Sequence, residues 1–410
     1  MKVNRLIAFL KYIIAGLLLL FLFHFESLSL GPLKISHLWK GGLLLFLLFY
    51  NIRNRKSLTY HIYKPLFVLA ILQLLSLELV VNPFNAFLLF STTLLLPLTA
   101  ISVLRLSYQH IKLLLIFFST FFILSFVPYK LGLLKSISQG FDLSAWGAKT
   151  GSSALLGPFQ TEHSASIALA GSFLVVFYFW FIKAYNRLFL TLLLTLCFYF
   201  LISTYVRTGM LMVVAGAIPI LFYFAKKNVI TRLRLLVVGV LLSVLLVNLV
   251  FSNKTLLDRI IGKREKSSEI ESYEELGSGR GGIWLDAISI YSEANIIEKT
   301  IGIGQTNQKN RMFEKRRQAL IPHNGFLMVL LNNGLIGLYF LTKFFRNILK
   351  YRKRLDENRK MLLSMLFITY LIMSVFQNYD MYYMFLLFVL IVAYVHKEVL
   401  LKNKFYETSH

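Results

Sequence analysis

Leu188–Val206 reads LFLTLLLTLCFYFLISTYV and Thr208–Ala225 reads TGMLMVVAGAIPILFYFA, with the single residue Arg207 between them. Each run has the roughly 17–25 predominantly apolar residues that a helix needs to cross about 30 Å of hydrocarbon. Two such runs with almost no loop between them predict a pair of membrane helices turning tightly at one face, and the pattern recurs along the chain. Composition agrees: 57% of the 410 residues are hydrophobic, 15% aromatic and only 15% charged, where a soluble domain carries about a quarter charged residues. The fold class expected is therefore an all-α polytopic membrane protein.

Working outward from this hairpin, the apolar runs predict about twelve transmembrane helices. They cover 6–23, 35–50, 65–79, 84–104 and 111–127, then 164–182, 188–206, 208–225 and 235–251, and finally 324–345, 361–376 and 381–395. One long polar stretch interrupts them, between helices nine and ten. The chain thus divides into 1–252 with helices 1–9, a large loop over 253–322, and 323–410 with helices 10–12 and a tail.

The net charge of +25 would point to nucleic acid in a soluble protein. Here it has another source, because alternate short loops are basic: Arg53, Arg55, Lys56 and Lys64; Arg105 and Lys112; Lys183 and Arg187; Lys226, Lys227, Arg232 and Arg234; and Lys343 to Lys360. The positive-inside rule makes that side cytoplasmic, with both termini on it. The 130–162 loop, the turn at Arg207 and the long loop then face the opposite side together. Met1–Arg5 leads into a full apolar run with no cleavage-site pattern. The single cysteine, Cys197, lies inside an apolar run, so no disulfide framework is expected.

Several outward-facing residues could carry chemistry. Arg207 is either a snorkelling arginine or a cation held at the interface for phosphate, which the planar guanidinium binds in a bidentate manner. Arg280 stands in Gly277-Ser-Gly-Arg280-Gly-Gly-Ile-Trp284. Glycines let backbone amides approach an anion, and the apolar face of Ile283, Ala287 and Ile290 predicts a helix just beyond them. His323, in Pro322-His323-Asn324-Gly325, could act as a base or donor near neutral pH, and Asn324 could cap the next helix. Glu162 and His163 stand at another outward helix start, where a carboxylate also simply complements the dipole.

The charged run Lys263–Glu275 reads as a solvated helix with internal pairs. Lys315-Arg316-Arg317 could gather an anionic headgroup or steer an anionic substrate. Glu78 falls near a span end, where an interfacial position accounts for it. No spacing matches a metal site, and no cofactor motif is present.

Taken together, Gly279-Arg280-Gly-Gly-Ile-Trp284, Gly302-Ile-Gly304, His323-Asn324 and Gly334-Leu-Ile-Gly337 resemble the O-antigen ligase and O-antigen polymerase superfamily of bacterial envelope glycosyltransferases. Arg207-Thr-Gly209 and the Gly157 to His163 stretch match two further landmarks, although many relatives carry an asparagine where this chain reads Glu162-His163-Ser164. The resemblance implies an inner-membrane enzyme with a periplasmic catalytic loop. It would transfer a glycan from an undecaprenyl-diphosphate donor to another repeat unit (polymerase) or to lipid A-core (ligase), without a metal. By that resemblance, Arg207 and Arg280 would hold the diphosphate, and His323 would orient or deprotonate the acceptor hydroxyl, with Asn324, His163 and Glu162 supporting. Implied partners are the lipid-linked donor, the acceptor, membrane lipids and a chain-length regulator protein, but no nucleic acid. A transporter or flippase for lipid-linked sugars is the competing class; it would need ionisable residues through spans one to six, where they are sparse.

Overall fold

The computed structural model describes residues 29–30, 33–52, 62–136, 153–225, 280–317, 321–377 and 387–397. The predicted spans 6–23 and 235–251 and the run Lys263–Glu275 lie outside the described residues. Nine of the other ten predicted spans fall on described helices, and the last, 381–395, is described only from Leu387 onward. Among them, five regions are long and apolar enough to cross a membrane: Pro83–Val103, Tyr108–Lys130, Glu162–Phe181, Gly325–Arg352 and Glu357–Phe376. Five shorter apolar helices accompany them.

The chain forms two units that interleave in sequence. The first gathers Met1–Ser36, Leu113–Glu269 and Lys360–Thr369, and the second gathers His37–Lys112, Ile270–Arg359 and Tyr370–His410. A two-residue antiparallel pairing, β1 (Ser29–Leu30) with β2 (Leu33–Lys34), precedes α1 (Ile35–Ile52).

In the first unit, α5 (Tyr108–Leu124) and α6 (Val127–Lys130) are followed by α7 (Glu162–Phe181), α8 (Arg187–Ser203) and α9 (Arg207–Ala225). Capping explains two of the starts: Thr161 Oγ1 accepts from the Ser164 N–H at 3.2 Å, and Asn186 Oδ1 accepts from the Phe189 N–H at 3.2 Å. The Phe126 ring packs 5.8 Å from Phe159 and 5.6 Å from Phe200. Gly157 has φ +57° and faces that ring, so a side chain there would be strained and would clash. On α9, Gly209 meets Ser166 of α7 and Gly216 meets Leu174. Those paired positions advance in the same direction, so α7 and α9 run parallel and both start at the same end.

The second unit holds most of α1, then α2 (Lys64–Leu75), α3 (Glu78–Val81), α4 (Pro83–Val103) and α13 (Gly325–Arg352), ending with α15 (Leu387–Lys397) after α14 (Glu357–Phe376) crosses from the first unit. Leu44 and Leu47 of α1 pack with Leu95 and Leu98 of α4. The described part of the polar stretch before α13 is mostly helical, as α10 (Arg280–Glu293), α11 (Ile296–Ile301) and α12 (Gln305–Arg316). Asn295 and Glu298 close a capping box at the start of α11. Ile283, Ala287, Ile290, Ala294, Ile303 and Met312 bury an apolar face against Leu331 of α13.

Two devices fasten these helices to the spans. The first is a break in α13 at Gly334, whose φ of 65° and ψ of −166° are not helical. At the break the Leu331 carbonyl accepts from the Ile303 N–H at 2.7 Å, which is how a broken membrane helix keeps its backbone satisfied. Gly302 (φ +92°) lies against the Asn332 carbonyl and Gly334 against the Thr300 carbonyl, so two backbones touch where neither position has room for a Cβ. Gln73 Nε2 donates to Asn333 Oδ1 at 3.1 Å, joining α2 to the same point.

The second device is Glu78, 1% exposed. Its carboxylate accepts from Asn85 Nδ2 at 2.6 Å, from the Thr306 N–H at 2.7 Å and from Thr306 Oγ1 at 2.6 Å. A buried carboxylate is tolerable only with such donors, and the N-terminus of α12 adds a favourable dipole. Glu78, which the sequence places near a span end, is a buried clamp across 228 residues of sequence.

Truncating the clamp leaves several buried donors unpaired. Glu78→Ala should cost roughly 2–4 kcal/mol and Glu78→Gln about 1–2 kcal/mol. Thermal unfolding in detergent checks this, and equal melting of Glu78→Ala and the parent would contradict it. Gly302→Ala and Gly334→Ala should each lower thermal stability as well, because each forces a Cβ against a carbonyl at positive φ.

Candidate active site

In the second unit, the start of α10 and the start of α13 meet. Trp284 Nε1 donates to the Pro322 carbonyl at 2.7 Å, and the Trp284 ring lies 6.2 Å from that of Phe376. Arg280 Nη1 donates to the Phe376 carbonyl at 2.7 Å, which fixes the orientation of the guanidinium. Asn324 caps α13 with Oδ1 accepting from the Phe326 and Leu327 N–H groups at 3.0 and 3.1 Å. This spends the Asn324 side-chain oxygen on structure, as its position before a helical run predicts.

His323 lies between these anchors. It has φ 48°, in the left-handed region that costs a non-glycine residue energy and that clusters at functional sites. Partial burial pushes its imidazole below the ordinary pKa, the positive charge of Arg280 pushes the same way, and a side-chain hydrogen bond with Gln377 opposes them. The net direction is downward, so His323 is neutral at pH 7 and retains a lone pair for a proton.

Arg280 is the first residue of α10, and Gly281 and Gly282 form its first turn. The sequence places these glycines ahead of the helix; they fall inside it. At Gly282 the Arg316 guanidinium lies where a Cβ would be, so a larger residue there would have to displace that side chain. No acidic residue occupies the first turn of α10. A cation at a helix N-terminus opposes the macrodipole, so the helix itself gives no reason for arginine there.

The same holds in the first unit. Arg207 opens α9, whose first turn also has no acidic residue, two residues after Tyr205 with φ 54°. The parallel packing of α7 and α9 puts Glu162 and His163, the first two residues of α7, at the same end as Arg207.

Lys315 and Arg316 are not available in the way the sequence suggests. Lys315 Nζ bonds Glu293 and Ser289, each at 2.7 Å, and Arg316 pairs with Asp286. Their charges hold α12 to α10, because both acids project from one face of α10. Sequence reasoning also passed over Gln73 and Gln377, and it gave Glu78 no partner. Glu78 alone had a signal, a carboxylate beside an apolar run, but its partner lies in a distant segment. Among the described residues, no group of three or more His, Cys, Asp or Glu side chains is placed to hold a metal ion.

No curated protein matches the chain. Residues 190–342, which contain Arg207, Arg280, His323 and the glycine contacts at 302, 304 and 334, match the family model described as O-antigen ligase, consistent with the O-antigen ligase and O-antigen polymerase superfamily.

Proposed function

We propose that this chain is an inner-membrane glycosyltransferase that moves a glycan from an undecaprenyl-diphosphate donor on the periplasmic face. The match to the O-antigen ligase family supports a glycan-transfer role in O-antigen or lipopolysaccharide assembly, and the apolar helices support a multi-pass membrane protein. The observation that carries the site assignment is the pairing of a neutral, left-handed His323 with an oriented Arg280 at the start of α13.

In this reading the acceptor hydroxyl attacks the anomeric carbon of the donor sugar. The bond from that carbon to the phosphate oxygen breaks, and the lipid diphosphate leaves with the electron pair. His323 takes the hydroxyl proton, which requires the neutral imidazole that burial and Arg280 maintain. Arg280 supplies counter-charge to the leaving diphosphate without a metal, as a preorganised electrostatic partner. Arg207, at the paired helix starts of the first unit, is assigned a phosphate-binding role, with His163 and Glu162 beside it. Both termini are cytoplasmic in this topology, which rests on the basic short loops.

The acceptor we favour is another lipid-linked repeat unit, making the chain a polymerase, with a chain-length regulator as a natural partner. The match to a family described as O-antigen ligase favours the second reading, transfer to lipid A-core. Deleting the gene separates them on a lipopolysaccharide gel. A polymerase leaves core plus one repeat, whereas a ligase leaves core alone with glycan accumulating on the carrier lipid. In the same strain, Arg280→Ala or His323→Ala should abolish transfer with membrane levels intact. Wild-type glycan from either variant would overturn the site.

The pH profile tests the base directly. The folded pKa of His323 is depressed, so the acidic limb of the activity profile should have its midpoint below 6.5. An acidic limb half-complete at or above 6.5 would contradict this role.

A further inference from the structure

Helix α10 has three distinct faces. Ile283, Ala287 and Ile290 point into the core, and Asp286, Ser289 and Glu293 reach Arg316 and Lys315 of α12. The third face carries Leu285 and Ile288, which are 59% and 51% exposed. The start of α11 continues this apolar exposure with Ile296 at 77% and Ile297 at 61%. Four large aliphatic side chains left open on neighbouring helices call for a nonpolar covering, since soluble surfaces seldom gather such a patch.

The contact between α11 and α13 indicates what covers them. Helix α13 is long and apolar enough to cross a membrane. Yet Thr300 and Gly302, at the end of α11, touch α13 at Gly334 and Asn332 rather than at its start. Those positions lie seven to nine residues beyond Gly325, about 10–14 Å along a helix that rises 1.5 Å per residue. Just past the contact, Leu335 and Tyr339 of α13 are exposed, as side chains facing lipid are. So α11 is fastened partway down the side of a span, where an aqueous surface would not be expected.

We infer that α10 and α11 lie in the membrane interface on the side where α13 begins, with Leu285, Ile288, Ile296 and Ile297 seated among lipid acyl chains. Their ion-paired face turns toward α12, away from that layer. An amphipathic helix binds such an interface through its apolar face, and here a protein core holds the helix in place as well. The consequence is that Arg280, at the start of α10, is kept at headgroup level, the level at which a lipid-borne phosphate resides.

The test uses full-length protein in phosphatidylethanolamine–phosphatidylglycerol vesicles, carrying Leu285→Cys, Ile296→Cys or, as a control on the exposed face of α12, Asn310→Cys. The native Cys197 is fully buried, and unsubstituted protein reports any labelling of it. Each cysteine receives an environment-sensitive fluorophore, quenched either by nitroxide on lipid acyl chains or by iodide on both sides of the membrane. Labels at 285 and 296 should be quenched several-fold more by the nitroxide lipid than the label at 310, and correspondingly less by iodide. Iodide quenching equal to that at 310 would overturn the proposal. Shielding from both quenchers would overturn it too, pointing to a second protein copy as the cover. Neither result bears on glycan transfer, which the Arg280 and His323 variants test separately.

Discussion

The geometry of the second unit depends on one buried carboxylate. Burying Glu78 is expensive unless its oxygens are satisfied, and they are satisfied only when the start of α12 reaches Asn85 and Glu78 together. That docking sets the next contacts. Gly302 and Gly304 precede α12 and press against α13 and Glu78, and Arg316 near its end pairs with Asp286 of α10. Helix α10 then presents Trp284 to the Pro322 carbonyl and Arg280 to the Phe376 carbonyl. His323, next to Pro322, is held in its strained conformation at the end of this chain of contacts. A site built this way is positioned by the membrane helices even though its residues come from a polar stretch.

Charge is used in two different ways across these helices. Lys315, Arg316 and Arg311 are spent on Glu293, Asp286 and Glu298, binding α10, α11 and α12 to one another. Arg207 and Arg280 instead open helices whose first turns carry no acid. The first group explains part of the basic surplus as structural pairing. The second places cations against the helix dipole, an arrangement that favours an anion as neighbour.

The spans were readable because a lipid-crossing helix needs a long apolar run, and nine of the predicted ones coincide with described helices to within a few residues at most ends. The cap at Asn324 was readable for a similar local reason, whereas those at Asn186 and Thr161 emerge only from the structure. The glycine landmarks could be noticed but not explained. Gly302, Gly334 and Gly209 exist for close approaches to Asn332, Thr300 and Ser166, and nothing local reveals which backbone will arrive. The clamp at Glu78 was hidden on the same ground, since its donors come from Asn85 nearby and Thr306 far along the chain. The interruption of α13 was hidden inside an apolar run that looks continuous, and the charges of Lys315 and Arg316 looked available because their acids lie about a helix away.

The central claim is that His323 moves a proton while Arg280 carries the diphosphate charge. The most direct measurement is steady-state transfer by purified protein in vesicles, with a lipid-diphosphate glycan donor, for His323→Gln and Arg280→Lys. The account predicts that His323→Gln lowers kcat with little change in donor KM. Arg280→Lys, which keeps the charge but loses the fork, should raise donor KM and lower kcat. Unchanged kcat in His323→Gln, at a melting temperature equal to the parent, would contradict it.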